Sequence, residues 1–263
     1  MAPREFDVVI FGATGYTGEH VARAFNDMAA PGGSWAGVRW AIAGRSLSKL
    51  EGITVRHGLS PTDLVIADVQ DVPSLVAMAA RGALIMNCTG PYRFFGEAVV
   101  TACIEAKTHY IDLCGEPEFI DRCLLKHADA AREAAVLIVH SCAFDSVPAD
   151  IGTLFTALQI QPPGLCAHVD MYHIFSVDRP ITGASAHATT FYAAVHGFGG
   201  AAATRAQRRA LLAKLEAEAA GSSKGPPPLG PKLHVASGPK WKEELRAYSF
   251  LFPGCVHEAY RAI

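Results

Sequence analysis

The first 150 residues alternate short apolar runs with longer stretches of helix-forming residues. Six runs are mainly apolar, at residues 6–11, 38–43, 64–67, 83–88, 110–113 and 136–140. Strands that are apolar throughout are buried on both faces, and their alternation with helices is typical of a parallel sheet with helices on either side. The pattern therefore predicts an α/β fold with a doubly wound parallel sheet over residues 1–150.

Beyond this sheet the pattern changes and predicts a smaller α+β domain over residues 151–263. Residues 205–220 are typical of a helix, and residues 169–177 alternate as a strand does when one face is buried. Residues 183–190 are small and polar, which suits a turn or a segment that faces a ligand. The stretch at 221–231, GSSKGPPPLGP, predicts a Pro-rich linker. Because linker and tail take up much of this domain, we expect it to be partial.

Composition and charge exclude several classes of protein. The 263 residues carry 23 basic and 25 acidic side chains, so no excess of positive charge favours nucleic acid. The seven cysteines form no C-x-x-C pair, and the histidines form no H-E-x-x-H motif, so we expect no metal site. The N-terminus lacks an apolar signal core, and no apolar run reaches the ~20 residues that span a bilayer. We therefore expect a cytoplasmic protein with reduced thiols.

A glycine-rich segment, GATGYTG at 12–18, follows the first predicted strand and opens the first predicted helix. The first glycine allows a tight turn, the second lets the backbone approach a pyrophosphate, and the third lets the helix pack closely on the strand. The helix N-terminus adds N–H donors and the positive end of the helix dipole. We predict a Rossmann-type dinucleotide site on Gly12, Thr14, Gly15, Tyr16, Thr17 and Gly18. The alternative is a tight turn with a purely structural role.

The residues that follow the second and third predicted strands bear on the cofactor. An NAD site usually has an acidic residue at the end of the second strand, where this chain has Arg45 and Ser46. A guanidinium fork and a hydroxyl suit a 2′-phosphate, so we predict NADP(H) rather than NAD(H), unless Arg45 is a simple surface charge. Asp68 ends the third strand and could meet the adenine amino group, or be a solvated strand-end carboxylate.

Three further segments follow the fourth, fifth and sixth predicted strands. Because ligands of open α/β sheets bind at the carboxyl ends of strands, we expect Thr89, Gly90 and Pro91 beside the nicotinamide half of the cofactor. Tyr92 and Arg93 are the nearest hydrogen-bond donors, and the alternative is a Gly-Pro turn with a packed tyrosine. The carboxylates at 112–116 and in the segment 140–148 could bind substrate or orient a proton donor, but Asp145 and Ser146 also suit a helix N-cap.

Together these segments resemble the saccharopine dehydrogenase-like oxidoreductase family. The resemblance rests on FGATGYTG at 11–18, AGR at 43–45, CTGPYRFFGEAVVTAC at 88–103, HYIDLCGE at 109–116 and FDSVPAD at 144–150. It implies a Rossmann-type domain followed by an α+β substrate domain. The chain departs from the family pattern at Ala143, where glycine is usual, and is short at its C-terminus. In eukaryotic members the C-terminal portion carries an apolar segment and a link to membranes or lipid droplets.

The resemblance also implies a function. Mycobacterial members are trans-acting enoyl reductases, in which hydride passes from NADPH to the β carbon of a lipid intermediate. By position, Tyr92 would then protonate the α carbon. We expect an NADPH-dependent oxidoreductase with a lipid-like enoyl or imine substrate, contact with a membrane or lipid droplet, and a homodimer. The alternative is a non-catalytic NADP-binding sensor or scaffold protein.

Overall fold

The computed structural model describes residues 3–144, 146–161, 163–174, 187–199, 201–219 and 238–249. The chain divides into two units, the first formed by Met1–Cys142 with Ala186–Lys214 and the second by Ala143–Ser185 with Leu215–Ile263. The predicted division into domains at residues 1–150 and 151–263 stays a prediction.

Strands and helices alternate in the first unit. Their order is β1 Phe6–Phe11, α1 Tyr16–Ala29, β2 Trp40–Gly44, α2 Leu47–His57, β3 Asp63–Ile66, α3 Val72–Arg81, β4 Gly82–Asn87, α4 Tyr92–Glu105, β5 His109–Asp112, α5 Pro117–Glu133 and β6 Ile138–Val139. All six strands are parallel, in the order β3-β2-β1-β4-β5-β6. This confirms the doubly wound Rossmann-type sheet. The order reverses between β1 and β4, which opens a ligand crevice at their carboxyl ends.

The sheet separates two apolar cores because alternate strand residues point to opposite faces. In β2, Trp40 and Ile42 join the core under α1 and α2, whereas Ala41 and Ala43 join the core under α3, α4 and α5. Every residue of β2 is buried, as a strand near the centre of a covered parallel sheet requires. The apolar runs of the sequence therefore become strands that carry helices on both faces.

The described residues of the later part of the chain form three helices and a hairpin. They are α6 Val147–Leu158, α7 Ala188–Gly199, α8 Ala201–Ala219, and the antiparallel strands β7 Lys240–Lys242 and β8 Ala247–Ser249. The predicted strand at 169–177 is wrong for residues 169–174, which form neither helix nor strand. A strand forms only beside another strand to which it can hydrogen-bond, and an alternating pattern alone does not supply that neighbour. Residues 175–177, 183–186 and the linker at 221–231 lie outside the described residues.

The helices of the described ranges include none that is long and apolar enough to cross a membrane. The predicted helix at 205–220 is observed as α8, which packs on α5. Leu211 of α8 is buried. Arg208 forms an ion pair with Asp121 of α5 at 3.0 Å, and Lys214 forms one with Asp129 of α5 at 2.8 Å. Arg208 and Lys214 thus hold this part of α8 against α5 within the first unit.

Candidate cofactor site and active site

The glycine loop, residues 12–18, turns the chain from β1 into α1. Gly12 has φ +83°, which L side chains rarely adopt, and a Cβ there would lie 2.8 Å from Thr89 Cγ2. A Cβ on Gly18 would overlap the carbonyl oxygen of Gly12 and lie 2.8 Å from Ala13 Cα. A Cβ on Gly15 would meet only that same oxygen, at 3.3 Å, so Gly15 is otherwise open. The loop thus has two closely packed glycines and one with free space beside it.

The N-terminus of α1 is open to an anion. Gly15 is its N-cap residue and has no side chain, and no side chain in the described ranges bonds to the N–H groups of Tyr16, Thr17 or Gly18. The first N–H groups of a helix have no partner inside the helix, and the helix dipole makes this end attractive to negative charge. Tyr16 and Thr17 are exposed there, and Thr14 is half-buried. The structure therefore brings the predicted loop residues together around a free helix N-terminus, as a pyrophosphate requires.

Arg45 and Ser46 lie next to the glycine loop. The backbone N–H groups of Gly12 and Ala13 donate to the carbonyl oxygen of Ala43, at 2.9 and 3.2 Å, which fixes the loop beside the end of β2. Arg45 is exposed, and its guanidinium makes no hydrogen bond or ion pair with any residue that the structure describes. Ser46 is the N-cap residue of α2, and no side chain of the described residues bonds to the first N–H groups of this helix. A 2′-phosphate would meet an unpaired cation and an open helix end here.

Asp68 lies after β3, two strands away from β1 in the sheet. Its Oδ1 accepts a hydrogen bond from the N–H of Gln70 at 3.0 Å, and its own N–H donates to Ser74 Oγ at 3.0 Å. These bonds form a local turn that leads into α3. The carboxylate therefore has a structural partner, and the predicted adenine contact stays a prediction.

The turn after β4 is held by a buried asparagine. Thr89 donates both its N–H and its hydroxyl to Asn87 Oδ1, at 3.0 and 2.6 Å, and Asn87 Nδ2 donates to the Tyr110 hydroxyl at 3.1 Å. Gly90–Pro91 is a cis peptide, and Pro91 is the N-cap residue of α4. The methyl group of Thr89 is the one that a side chain at Gly12 would strike. The two predicted cofactor loops therefore meet at the crevice.

Tyr92 is a buried side chain of the first turn of α4. Its hydroxyl donates to the backbone oxygen of Asn87 at 2.8 Å, and its ring packs against Phe119. Burial, together with the charge of Asp112, raises the pKa of Tyr92 far above its ordinary value. The same two causes raise the pKa of Cys88 to about 12, so that this thiol stays protonated at neutral pH.

The N-terminus of α4, in contrast to that of α1, is already neutralised by a carboxylate. Glu116 Oε1 and Oε2 accept hydrogen bonds from the N–H groups of Tyr92 and Arg93, at 2.7 and 3.1 Å. The Arg93 guanidinium in turn donates to Glu118 Oε2 at 2.7 Å. Because Glu116 already satisfies these donors, the start of α4 is not free for a phosphate group.

A buried carboxylate joins the ends of β5 and β6. Asp112 Oδ2 accepts a hydrogen bond from the Tyr110 hydroxyl at 2.8 Å and lies 2.7 Å from His140 Nδ1. Asp112 Oδ1 accepts from the N–H groups of Cys114 and Ser141, both at 3.0 Å. Four partners are enough to hold an ionised carboxylate away from water. This end of the sheet therefore holds a buried carboxylate–imidazole pair.

Asn87 and Tyr110 are the residues of this network that the sequence did not single out. Asn87 is a polar residue in the otherwise apolar run 83–88, and that interruption is the signal that could have identified it, whereas Tyr110 opens its run and gives no such signal. Glu116 belongs to the predicted carboxylates at 112–116, but its contact with α4 joins segments that are far apart in the sequence. No group of His, Cys, Asp and Glu side chains in the described ranges is arranged to hold a metal ion.

Several proteins are similar to this chain over most of its length. A saccharopine dehydrogenase-like oxidoreductase of Rattus norvegicus is 34% identical over 95% of this chain and 57% of its own length. A lipid droplet localized protein of Caenorhabditis elegans is 34% identical over 75% of this chain and 46% of its own. A Mycobacterium tuberculosis protein named as a trans-acting enoyl reductase is 39% identical over 57% of this chain and 35% of its own. The chain thus spans about half the length of such relatives.

A family model described as the saccharopine dehydrogenase NADP binding domain matches residues 8–139, about half of the chain. The residues present fit this cofactor, because the glycine loop leaves the N-terminus of α1 open and Arg45 is unpaired among the described residues. The cofactor is therefore NADP(H), as the end of β2 predicts. The chain belongs to the saccharopine dehydrogenase-like oxidoreductase family, and its first unit carries that family's NADP-binding domain.

Proposed function

We propose that this chain is an NADPH-dependent reductase of a lipid-type enoyl or related substrate. The observation that carries the proposal is the N-terminus of α1 and the nearby Arg45, both without a side-chain partner among the described residues, within a family whose domain binds NADP. The N–H groups of α1 would hold the pyrophosphate, and Arg45 with Ser46 would hold the 2′-phosphate. When bound, NADPH supplies a hydride to the substrate.

Two side chains near the carboxyl ends of β4, β5 and β6 can supply the proton that completes a reduction. The sequence predicts Tyr92, but its only proton is donated to the backbone oxygen of Asn87. The geometry favours His140: its Nδ1 lies 2.7 Å from Asp112 Oδ2, and no residue in the described ranges bonds to Nε2. We therefore propose His140 as the proton donor and Asp112 as the residue that orients it.

Paired variants distinguish these two donors. Tyr92→Phe removes one hydroxyl, so we expect the free energy of unfolding to fall by about 1 kcal/mol and the turnover rate to change by less than about threefold. His140→Gln keeps a hydrogen-bonding group beside Asp112 but no ionisable proton, so we expect turnover to fall at least about 100-fold. Steady-state NADPH oxidation and thermal unfolding measure the two effects. The opposite pattern of turnover would assign the proton to Tyr92.

The proposed substrate class is supported by the names of relatives, and a panel of acceptors tests it. The names of the mycobacterial and nematode relatives point to an enoyl reductase and to a lipid droplet. We expect NADPH to be oxidised by α,β-unsaturated acyl thioesters in a panel that also contains imines and carbonyl compounds. NADPH at 100 times its dissociation constant should also stabilise the fold by about 2.7 kcal/mol. Stabilisation without oxidation of NADPH by any acceptor would favour the sensor or scaffold protein instead.

The second unit carries an apolar stripe that suits a lipid surface. Ile151, Leu154, Phe155 and Leu158 on α6 are each about half exposed or more, and their spacing places them on one helix face. We propose that this face rests on the membrane or droplet that the resemblance implies.

The predicted homodimer also stays a proposal, which sedimentation equilibrium would test.

Vesicle co-sedimentation tests the lipid contact. A double variant, Leu154→Gln with Phe155→Gln, should reduce the vesicle-bound fraction several-fold, because it removes about half of the exposed apolar area of the stripe. Val55→Gln is the matched control, since Val55 is 84% exposed but lies on α2 in the first unit. The lipid contact is refuted when the wild type sediments equally with and without vesicles.

A further inference from the structure

The first turn of α7 contacts both loops of the NADP crevice. The His187 ring stacks on the Tyr16 ring of the glycine loop, with centroids 5.2 Å apart and planes 17° from parallel. The Thr189 methyl group lies 3.5 Å from the position of a Cβ on Gly90. Gly12 and Gly90 follow β1 and β4, the two strands between which the sheet order reverses. Residues 187–189 therefore border the crevice at its topological switch point.

These contacts place polar side chains where a dinucleotide must pass. Tyr16 is 64% exposed, so its stack with His187 lies at the surface of the crevice and not within the core. His187 is itself exposed, and the Thr189 side chain is half-buried against the turn after β4. An imidazole and a hydroxyl are both able to donate hydrogen bonds to phosphate oxygens. The first turn of α7 also carries no acidic residue that would repel an anion.

We propose that His187 and Thr189 form an outer wall of the cofactor site and bind the pyrophosphate–nicotinamide half of NADP(H). The glycine loop and the turn at 89–91 form the inner walls, and the wall from α7 reaches them from a distant part of the chain. Tyr16 holds the imidazole in place through the ring stack. The inference concerns cofactor binding and stands independently of the proposed reaction.

Fluorescence titration with NADPH tests this wall. His187→Ala should raise the dissociation constant roughly tenfold, since a hydrogen bond to a charged oxygen is lost, and Thr189→Val should raise it several-fold. His196→Ala is the matched control, because His196 lies on the same helix but meets Phe94, with ring centroids 5.2 Å apart. We expect its dissociation constant to stay within twofold of the wild type.

A fragment of the cofactor separates a direct contact from a general loosening of the fold. Adenosine 2′,5′-bisphosphate lacks the pyrophosphate and the nicotinamide, so His187→Ala should bind it as the wild type does. The proposal is overturned when both variants bind NADPH within twofold of the wild type, when the fragment and NADPH lose affinity equally, or when the wild type does not bind NADPH. Absence of turnover on every substrate would refute the proposed reaction and leave this binding result intact.

Discussion

Gly18→Ala is expected to lower the free energy of unfolding by about 3 kcal/mol and to weaken NADPH binding with it. The new methyl group would overlap the carbonyl oxygen of Gly12 and lie 2.8 Å from Ala13 Cα. Both are backbone atoms, so the helix or the glycine loop has to shift. Since that loop holds the pyrophosphate, a shift sufficient to relieve the overlap also disturbs the cofactor site. For a chain of this size the midpoint of thermal unfolding should fall by about 6–12 °C.

Gly52→Ala is the control for this substitution and has the opposite sign. Gly52 lies in the middle of α2, is exposed, and a Cβ there would meet nothing within 4 Å. Alanine is favoured over glycine in a helix by about 0.5–1 kcal/mol, so this variant should melt slightly above the wild type. Equal destabilisation by the two variants would contradict close packing at residue 18 as the cause, because helix propensity favours alanine at both positions.

The sheet could be predicted from the sequence because its information is local. A parallel strand covered on both faces has to be apolar nearly throughout, and helices of ordinary length separate one strand from the next. The apolar run at 6–11 has the same bounds as β1. At the end of β2, the sequence Gly44-Arg45-Ser46 already indicated which cofactor binds. For β6 the apolar run at 136–140 was longer than the strand, because only Ile138 and Val139 pair with β5, the single neighbour of this edge strand.

The start of α4 could not be predicted in the same way. The sequence indicated Tyr92 as a hydrogen-bond donor or as a tyrosine packed at a Gly-Pro turn, whereas in the structure it is the first residue of α4. What stabilises its first turn is Glu116, which lies beyond β5 and reaches back to the N–H groups of Tyr92 and Arg93. No local pattern encodes a cap that another segment provides. The same holds for His187, whose contact with Tyr16 joins two distant parts of the chain.

The two candidate proton donors rest on different kinds of information, and Tyr92 stays a prediction. Position alone favoured Tyr92, which directly follows the predicted nicotinamide loop. Hydrogen bonding favours His140, whose neighbour Asp112 lies on a different strand. The sequence contained both segments, 112–116 and 140–148, but only the parallel pairing of β5 with β6 brings the two side chains to one edge. Which atom keeps a free hydrogen-bonding site is a property of the folded chain.

Arg45→Ala should raise the dissociation constant of NADPH roughly 10- to 100-fold and leave that of NADH within about twofold. The guanidinium has no partner among the described residues, so its removal leaves no buried charge unpaired and should not affect folding. Its contribution to binding is a charge-assisted hydrogen bond to the 2′-phosphate, a group that NADH lacks. Isothermal titration with the two cofactors measures both constants.

A distant arginine separates this contact from the general effect of charge on a polyanionic ligand. Arg209→Ala removes the same charge from an exposed position of α8. At physiological ionic strength a charge acts over about 8 Å, so this variant should bind NADPH as the wild type does. Equal losses for NADPH and NADH in Arg45→Ala would contradict the assignment of the 2′-phosphate to Arg45. A selective loss would show that the unpaired guanidinium after β2 is what makes this Rossmann-type site prefer NADP(H) over NAD(H).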